Sequence, residues 1–154
     1  MKIAIVAVGR LGRGPEAELV KLYAERATAA GRTLGLGPVE VIEVEARKPG
    51  KAAEAEALGP HLDGAHVVAC DEHGRQLTSR AFAGEIGKLR DDGVRRLALV
   101  IGGADGLDPA LISAARSTLA FGPQTWPHAL ARAMLAEQVY RAVSILSGSP
   151  YHRD

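Results

Sequence analysis

Residues 3–8 of this chain, Ile-Ala-Ile-Val-Ala-Val, are uninterruptedly apolar, and so are residues 97–101, Leu-Ala-Leu-Val-Ile. Runs this short and this apolar are strands covered on both faces. They demand helices above and below a mostly parallel sheet, which sets the fold class as α/β. Residues 2–8 are therefore predicted to be the first strand and residues 96–101 the fourth. Residues 39–44 alternate apolar with acidic side chains, as expected of a strand with one wet face or an edge strand. Residues 65–70 read as the third strand and 117–121 as a short fifth.

Helical spacing fills the gaps. Leu19, Val20, Leu22, Tyr23 and Ala27 recur through residues 15–30, behind Pro15 at a first turn. Residues 49–62 form a weaker Ala/Glu-rich helix. Phe82, Ile86 and Leu89 mark a helix over 78–92, capped by Thr78 or Ser79. A short helix is predicted over 108–115. The last runs over 127–146, with Leu130, Met134, Val139, Ala142, Ile145 and Leu146 on a broad apolar stripe that Leu135 and many alanines extend. Glu137 and Arg141 form an i, i+4 pair placed on its wetter side. So apolar a helix predicts either burial in the domain or a dimer contact, and the contact is the reading favoured. The chain has 154 residues, without repeat or linker, and one domain over 1–154 is expected.

Composition excludes several classes. No stretch reaches the ~18 apolar residues of a membrane span, and residues 1–8 are too short for a signal peptide. A single cysteine, Cys70, rules out a disulfide framework and points to a cytoplasmic protein. Cys70 ends an apolar run and reads as a packed residue. The formal net charge of +1 argues against a large sequence-blind binder of naked nucleic acid. His61, His66 and His73 lack zinc-like spacing, so no metal site is expected.

Ligands of open α/β sheets sit beyond the carboxyl ends of the strands, and three glycine- or turn-rich segments lie there. Residues 9–14 read G-x-x-G-x-G, not the dinucleotide G-x-G-x-x-G, so nicotinamide binding is disfavoured. With Arg10 and Arg13 the loop is locally basic and suited to a phosphate. Gly102-Gly103-Ala104-Asp105-Gly106 follows the strongest strand and carries more glycine than a turn needs. Phe121-Gly122-Pro123-Gln124-Thr125-Trp126-Pro127-His128 combines rigid proline backbone with an aromatic face, suited to a flat heterocycle. The end of the chain, Tyr151-His152-Arg153-Asp154, groups a ring, an imidazole and a guanidinium. From the residues alone, two readings stand: an enzyme moving a proton through His152, or a non-catalytic nucleotide-binding module.

Ile101-Gly102-Gly103-Ala104-Asp105-Gly106-Leu107, Gln124-Thr125-Trp126-Pro127-His128, Ala136-Glu137-Gln138-Val139-Tyr140-Arg141-Ala142 and Pro150-Tyr151-His152-Arg153 together resemble the RlmH-type rRNA methyltransferases of the SPOUT superfamily. The opening Lys2 to Gly9 resembles that family too. The resemblance implies an α/β fold with a C-terminal trefoil knot, against the general rarity of knots. It implies a homodimer that binds S-adenosylmethionine in the knot and methylates N3 of a pseudouridine in large-subunit rRNA. It places Cys70, Gly102, Gly103, Phe121, Gly122, Pro123, Gln124, Thr125 and Trp126 around the cofactor. It places Tyr151, His152 and Arg153 near the target base, reaching the partner subunit's site. The chain departs from the family at Gly122-Pro123-Gln124, where Ser-x-Met is usual, and at Cys70, where an aliphatic residue is common. His152 is the expected base or proton relay, Arg153 the group that stabilises an anionic ring or a phosphate, and Tyr151 the residue that orients the base. The near-neutral charge suggests an assembled ribosome, rather than bare RNA, as substrate.

Overall fold

A computed structural model describes residues 1–153; Asp154, the last residue of the tail motif, lies outside the described residues. Five strands, β1 (Lys2–Val8), β2 (Val39–Val44), β3 (His66–Cys70), β4 (Arg96–Ile101) and β5 (Ser117–Leu119), form one sheet. The order is β2-β1-β4-β3-β5 and every pairing is parallel. β1 and β4 occupy the interior, which accounts for their unbroken apolar runs. β2 lies at the edge, where Glu40 and Glu43 can face water.

The helices are α1 (Pro15–Gly31), α2 (Lys51–Leu62), α3 (Ser79–Asp91), α4 (Pro109–Ala114) and α5 (His128–Leu146). Parallel strands need crossovers, and these place helices on both faces. On one face Ile3, Ile5, Leu97 and Leu99 pack against Val20 and Ala24 of α1, Phe82 and Ile86 of α3, and Leu135 and Val139 of α5. On the other face Ala4, Val6, Ala98 and Val100 meet Leu58 of α2, Leu107, and Leu111 and Ile112 around α4. Alternation along each strand thus feeds two cores at once.

The element boundaries follow the local chemistry. Thr78 caps α3, its hydroxyl accepting from the Ala81 N–H at 3.1 Å, and Asp108 caps α4 by accepting from the Ala110 N–H at 2.8 Å. β5 is shorter than its apolar run, because the chain leaves the sheet at Ala120 to meet the segment after β3. That segment straps the end of β5 tightly: the Asp71 N–H donates to Leu119 O at 3.0 Å and the Ala120 N–H to Arg75 O at 2.9 Å. A Cβ on Gly74 would stand 2.8 Å from the Leu119 backbone, so only glycine fits that crossing.

α5 differs from its sequence reading. Its buried face is Arg132, Ala133, Leu135, Ala136, Val139, Ala142, Val143 and Ser144; it keeps Leu135, Val139, Ala142 and the alanines of the expected stripe and adds Arg132, Val143 and Ser144, while Leu130, Met134, Ile145 and Leu146 are only half-buried. The helix packs on α1 and α3 of its own chain. Its fully buried positions are therefore used inside the fold, and its half-buried apolar residues are those left for a dimer contact.

Candidate functional site

The carboxyl ends of β3, β4 and β5 open onto a cavity of about 450 Å³, within the usual size of small-molecule sites. Ile101, Leu107, Leu119 and Phe121 give it apolar walls, while Asp71, Glu72 and Asp105 stand on its rim. A larger groove, about 660 Å³, runs between α1 and the exposed side of β2. It lacks the glycine loops and is lined by helix and edge-strand side chains, so the smaller cavity is the candidate site.

Each loop of the cavity is shaped by a specific contact. After β4 the chain turns back on itself: the Gly106 N–H donates to Gly103 O at 3.0 Å. A Cβ at Gly102 would lie 2.4 Å from the Gly106 carbonyl carbon. The glycines therefore serve a close backbone approach, as their number suggested. In the segment between β5 and α5, the Trp126 indole N–H donates to Phe121 O at 3.1 Å and closes the loop into a ring. The Thr125 hydroxyl donates to Glu72 at 3.1 Å, tying that loop to the segment after β3.

Cys70, Gly102, Gly103, Phe121, Gly122, Gln124, Thr125 and Trp126 all line the cavity. Pro123 does not; it is exposed and shapes the loop from outside. Cys70 is half-buried in the wall, and burial pushes its thiol up to about 12. That suits a packing residue and not a nucleophile. Among the described residues, no group of three His, Cys, Asp or Glu side chains is placed to hold a metal.

Tyr151, His152 and Arg153 are not part of this cavity. Tyr151 packs on Tyr140, ring centroids 4.6 Å apart, lies 4.8 Å from the Arg141 guanidinium carbon, and donates its hydroxyl to Glu137 at 2.9 Å. Burial is the main force holding the Tyr151 phenol protonated, above its ordinary range, with its hydrogen bonds next. His152 Nδ1 accepts from Arg141 Nη1 at 3.1 Å. A guanidinium has no acceptor, so a neutral His152 carries its hydrogen on Nε2. Glu137 and Arg141, expected on a wet face, are half-buried beneath this tail. Along α5 the Glu137–Arg141 anchor lies about 14–20 Å from His128 at the cavity, at 1.5 Å per residue.

Sequence reading missed Arg132. Its side chain is fully buried. One turn after His128, it donates to Val8 O at 2.8 Å, Gly9 O at 3.1 Å and Glu43 Oε1 at 3.0 Å. It thereby locks the start of α5 to the carboxyl ends of β1 and β2. Spacing could have revealed it: positions 132, 135, 136 and 139 follow the i, i+3, i+4, i+7 pattern of one helix face.

Residues 1–152 match the family described as "Predicted SPOUT methyltransferase". The chain belongs to the SPOUT methyltransferase family. It is 78% identical over its full length, and the relative's full length, to ribosomal RNA large subunit methyltransferase H of Phenylobacterium zucineum (strain HLK1). It is 70% identical over its full length to the protein of that name from Caulobacter vibrioides, covering 99% of that relative. Among solved structures it resembles a probable methylase family protein from Haemophilus influenzae Rd KW20 (TM-score 0.57, 15% identity, 99% of this chain and 70% of that one). It also resembles a probable methyltransferase from Bordetella pertussis Tohama I (TM-score 0.55, 20% identity, 92% of this chain and 96% of that one). These last two likenesses concern the fold.

SPOUT membership implies the C-terminal trefoil knot and makes this an S-adenosylmethionine-dependent methyltransferase. The residues present fit that cofactor. The apolar walls suit an adenine ring, and the rim carboxylates of Asp71, Glu72 and Asp105 suit a ligand carrying a sulfonium and an ammonium. Opposite charges a few ångströms apart attract even in a partly wet site.

Proposed function

We propose that this enzyme methylates N3 of a pseudouridine in large-subunit rRNA, on assembled ribosomes in the cytoplasm, as a homodimer whose tails act in trans. The RNA substrate is supported by the shared name of relatives as close as 78% identity. The observation that carries the trans arrangement is the separation within one chain: the cavity lies at the start of α5, the tail against Glu137 and Arg141 farther along it. A second copy, related by a two-fold axis, can bring one tail over the other's cavity. Leu19 and Leu22 of α1, each 39% exposed, offer apolar surface for that pairing.

S-adenosylmethionine, when bound, supplies an electrophilic methyl group on a sulfonium. The chain's contribution is alignment, which can be worth ~7–11 kcal/mol of barrier. The loops of Gly102 and Gly103, and of Phe121 to Trp126 with Pro123 as a rigid link, hold the cofactor. N3 of a uracil-type ring must lose its proton to become nucleophilic. His152 is the base or relay. Because Arg141 occupies Nδ1 and the neutral ring carries its hydrogen on Nε2, His152 accepts a proton at Nδ1 only after Arg141 lets go. Arg153 stabilises the ring anion or a neighbouring phosphate, and Tyr151 orients the base.

The test is mass mapping of rRNA from cells lacking the protein, followed by treatment of their ribosomes with pure enzyme and S-adenosylmethionine. The expected result is a single missing methylpseudouridine, restored in vitro on intact ribosomes and poorly on a bare fragment. The competing nucleotide-binding module predicts a full methylation pattern in those cells and no heat of binding on titration with S-adenosylmethionine.

A further inference from the structure

Charge is segregated around the cavity although the chain as a whole is nearly neutral. The loops after β1 and β2, residues 9–14 and 45–50, together with Lys51 at the start of α2, hold five cations, Arg10, Arg13, Arg47, Lys48 and Lys51, against one carboxylate, Glu45. The opposite rim carries the acids Asp71, Glu72 and Asp105. β1 and β2 are paired in register up to Val8 and Val44, so the two loops leave the sheet side by side. The Gly9 N–H donates to Val44 O at 2.8 Å, and Arg10 reaches Glu45 at 3.6 Å across the gap.

Of the nearby acids, Glu43 and Glu45 are engaged, Glu16 folds back over Gly14, Glu54 faces Gly103, and Glu18 in the first turn of α1 is exposed. Glu43 receives the Arg132 guanidinium and the Leu11 N–H. Glu16 and Glu54 are half-buried in the first turns of α1 and α2. Arg13, Arg47 and Lys48 are exposed, with no carboxylate within ion-pair distance among the described residues. Lys51 is exposed and also lines the cavity, so the basic loops adjoin the cavity mouth.

We propose that this strip is the track for the phosphodiester backbone of the substrate RNA, leading the target nucleotide to the cavity. Unpaired cations on adjacent loops neutralise phosphates without reading sequence. The acidic rim repels the strand on the opposite side, so the RNA can approach from the β1–β2 side only. This placement rests on the rRNA reading above.

The test is the triple variant Arg13→Ala, Arg47→Ala, Lys48→Ala, assayed for methylation of ribosomes from cells lacking the protein, at several salt concentrations. The expected result is a KM for ribosomes raised at least about tenfold, with the slope of log KM against log salt reduced by about 2–3. Affinity for S-adenosylmethionine and the melting temperature stay at the wild-type values. The charge-conserving variant Arg13→Lys, Arg47→Lys keeps the wild-type salt slope. A triple variant with wild-type KM and slope overturns the strip while leaving the proposed function intact. A wild-type enzyme that transfers no methyl group to ribosomes from cells lacking the protein overturns the proposed function, and the track's occupant with it.

Discussion

Arg132 Nη1 lies 3.0 Å from Glu43 Oε1, joining a fully buried cation on the last helix to a partly exposed carboxylate on the edge strand. Burial pulls the guanidinium below its ordinary range, and only the nearby carboxylate opposes that. Two backbone carbonyls complete its shell, while Nε has no partner. An ion this deep is tolerated because three acceptors converge on it, and it marks where α5 must sit.

Replacing Arg132 by Ala is expected to cost about 3–5 kcal/mol, because Val8 O and Gly9 O lose their donor and a cavity opens. Arg132→Lys recovers little, since one ammonium cannot span acceptors arranged for a forked guanidinium. Urea unfolding of both variants decides this; a loss under about 1 kcal/mol for Arg132→Ala would mean that water or a shifted helix replaces the contact.

The Cys70 thiol gives a pH dependence with a definite sign. Folded, it holds its proton up to about 12; unfolded, it releases it near ~8.5. The folded state therefore binds more protons between these values, and stability falls as pH rises from about 8.5 toward 12. Below that window the contribution is fully present. Melting temperatures of wild type and Cys70→Ser, compared across pH 7.5–10, should converge as pH rises only if this holds. Alkylation of native protein at pH 8 should be slow, and fast once it is unfolded.

The Trp126–Phe121 hydrogen bond presets the cofactor loop. Trp126→Phe keeps the ring and removes the N–H, a loss of about 0.5–1.5 kcal/mol. Calorimetry should show S-adenosylmethionine binding weakened about two- to tenfold, with little change in melting temperature because the loop is exposed. Unchanged affinity would show that the loop holds its shape without the staple.

Much of this architecture is legible in local sequence. The apolar runs of β1 and β4, the acidic alternation of β2 and the Thr78 cap all act over a few residues, and each forms where its chemistry predicts. What escapes depends on contacts between distant segments. Arg132 draws its acceptors, Val8, Gly9 and Glu43, from across the fold. Glu137 and Arg141 read as a wet pair because the tail that covers them arrives ten or more residues later. The tail's own place reflects the same limit: Tyr151 and His152 suit a ligand by their chemistry, yet in one chain they contact α5.

That last separation supplies the sharpest test of the trans arrangement. His152→Ala removes the tail's imidazole and leaves the cavity intact. Ala104→Trp places a large ring in the exposed loop on the cavity wall and leaves the tail intact. Each variant alone should methylate poorly. Refolded together, half of the dimers are mixed, and a two-fold assembly gives each of these one competent site, so activity should return to about a quarter of wild type. If the tail served its own chain's cavity, every site in the mixture would lack one component and activity would stay at the level of the single variants. Gel filtration of the mixture guards the inference, because a chain that remains monomeric throughout would exclude a shared site outright.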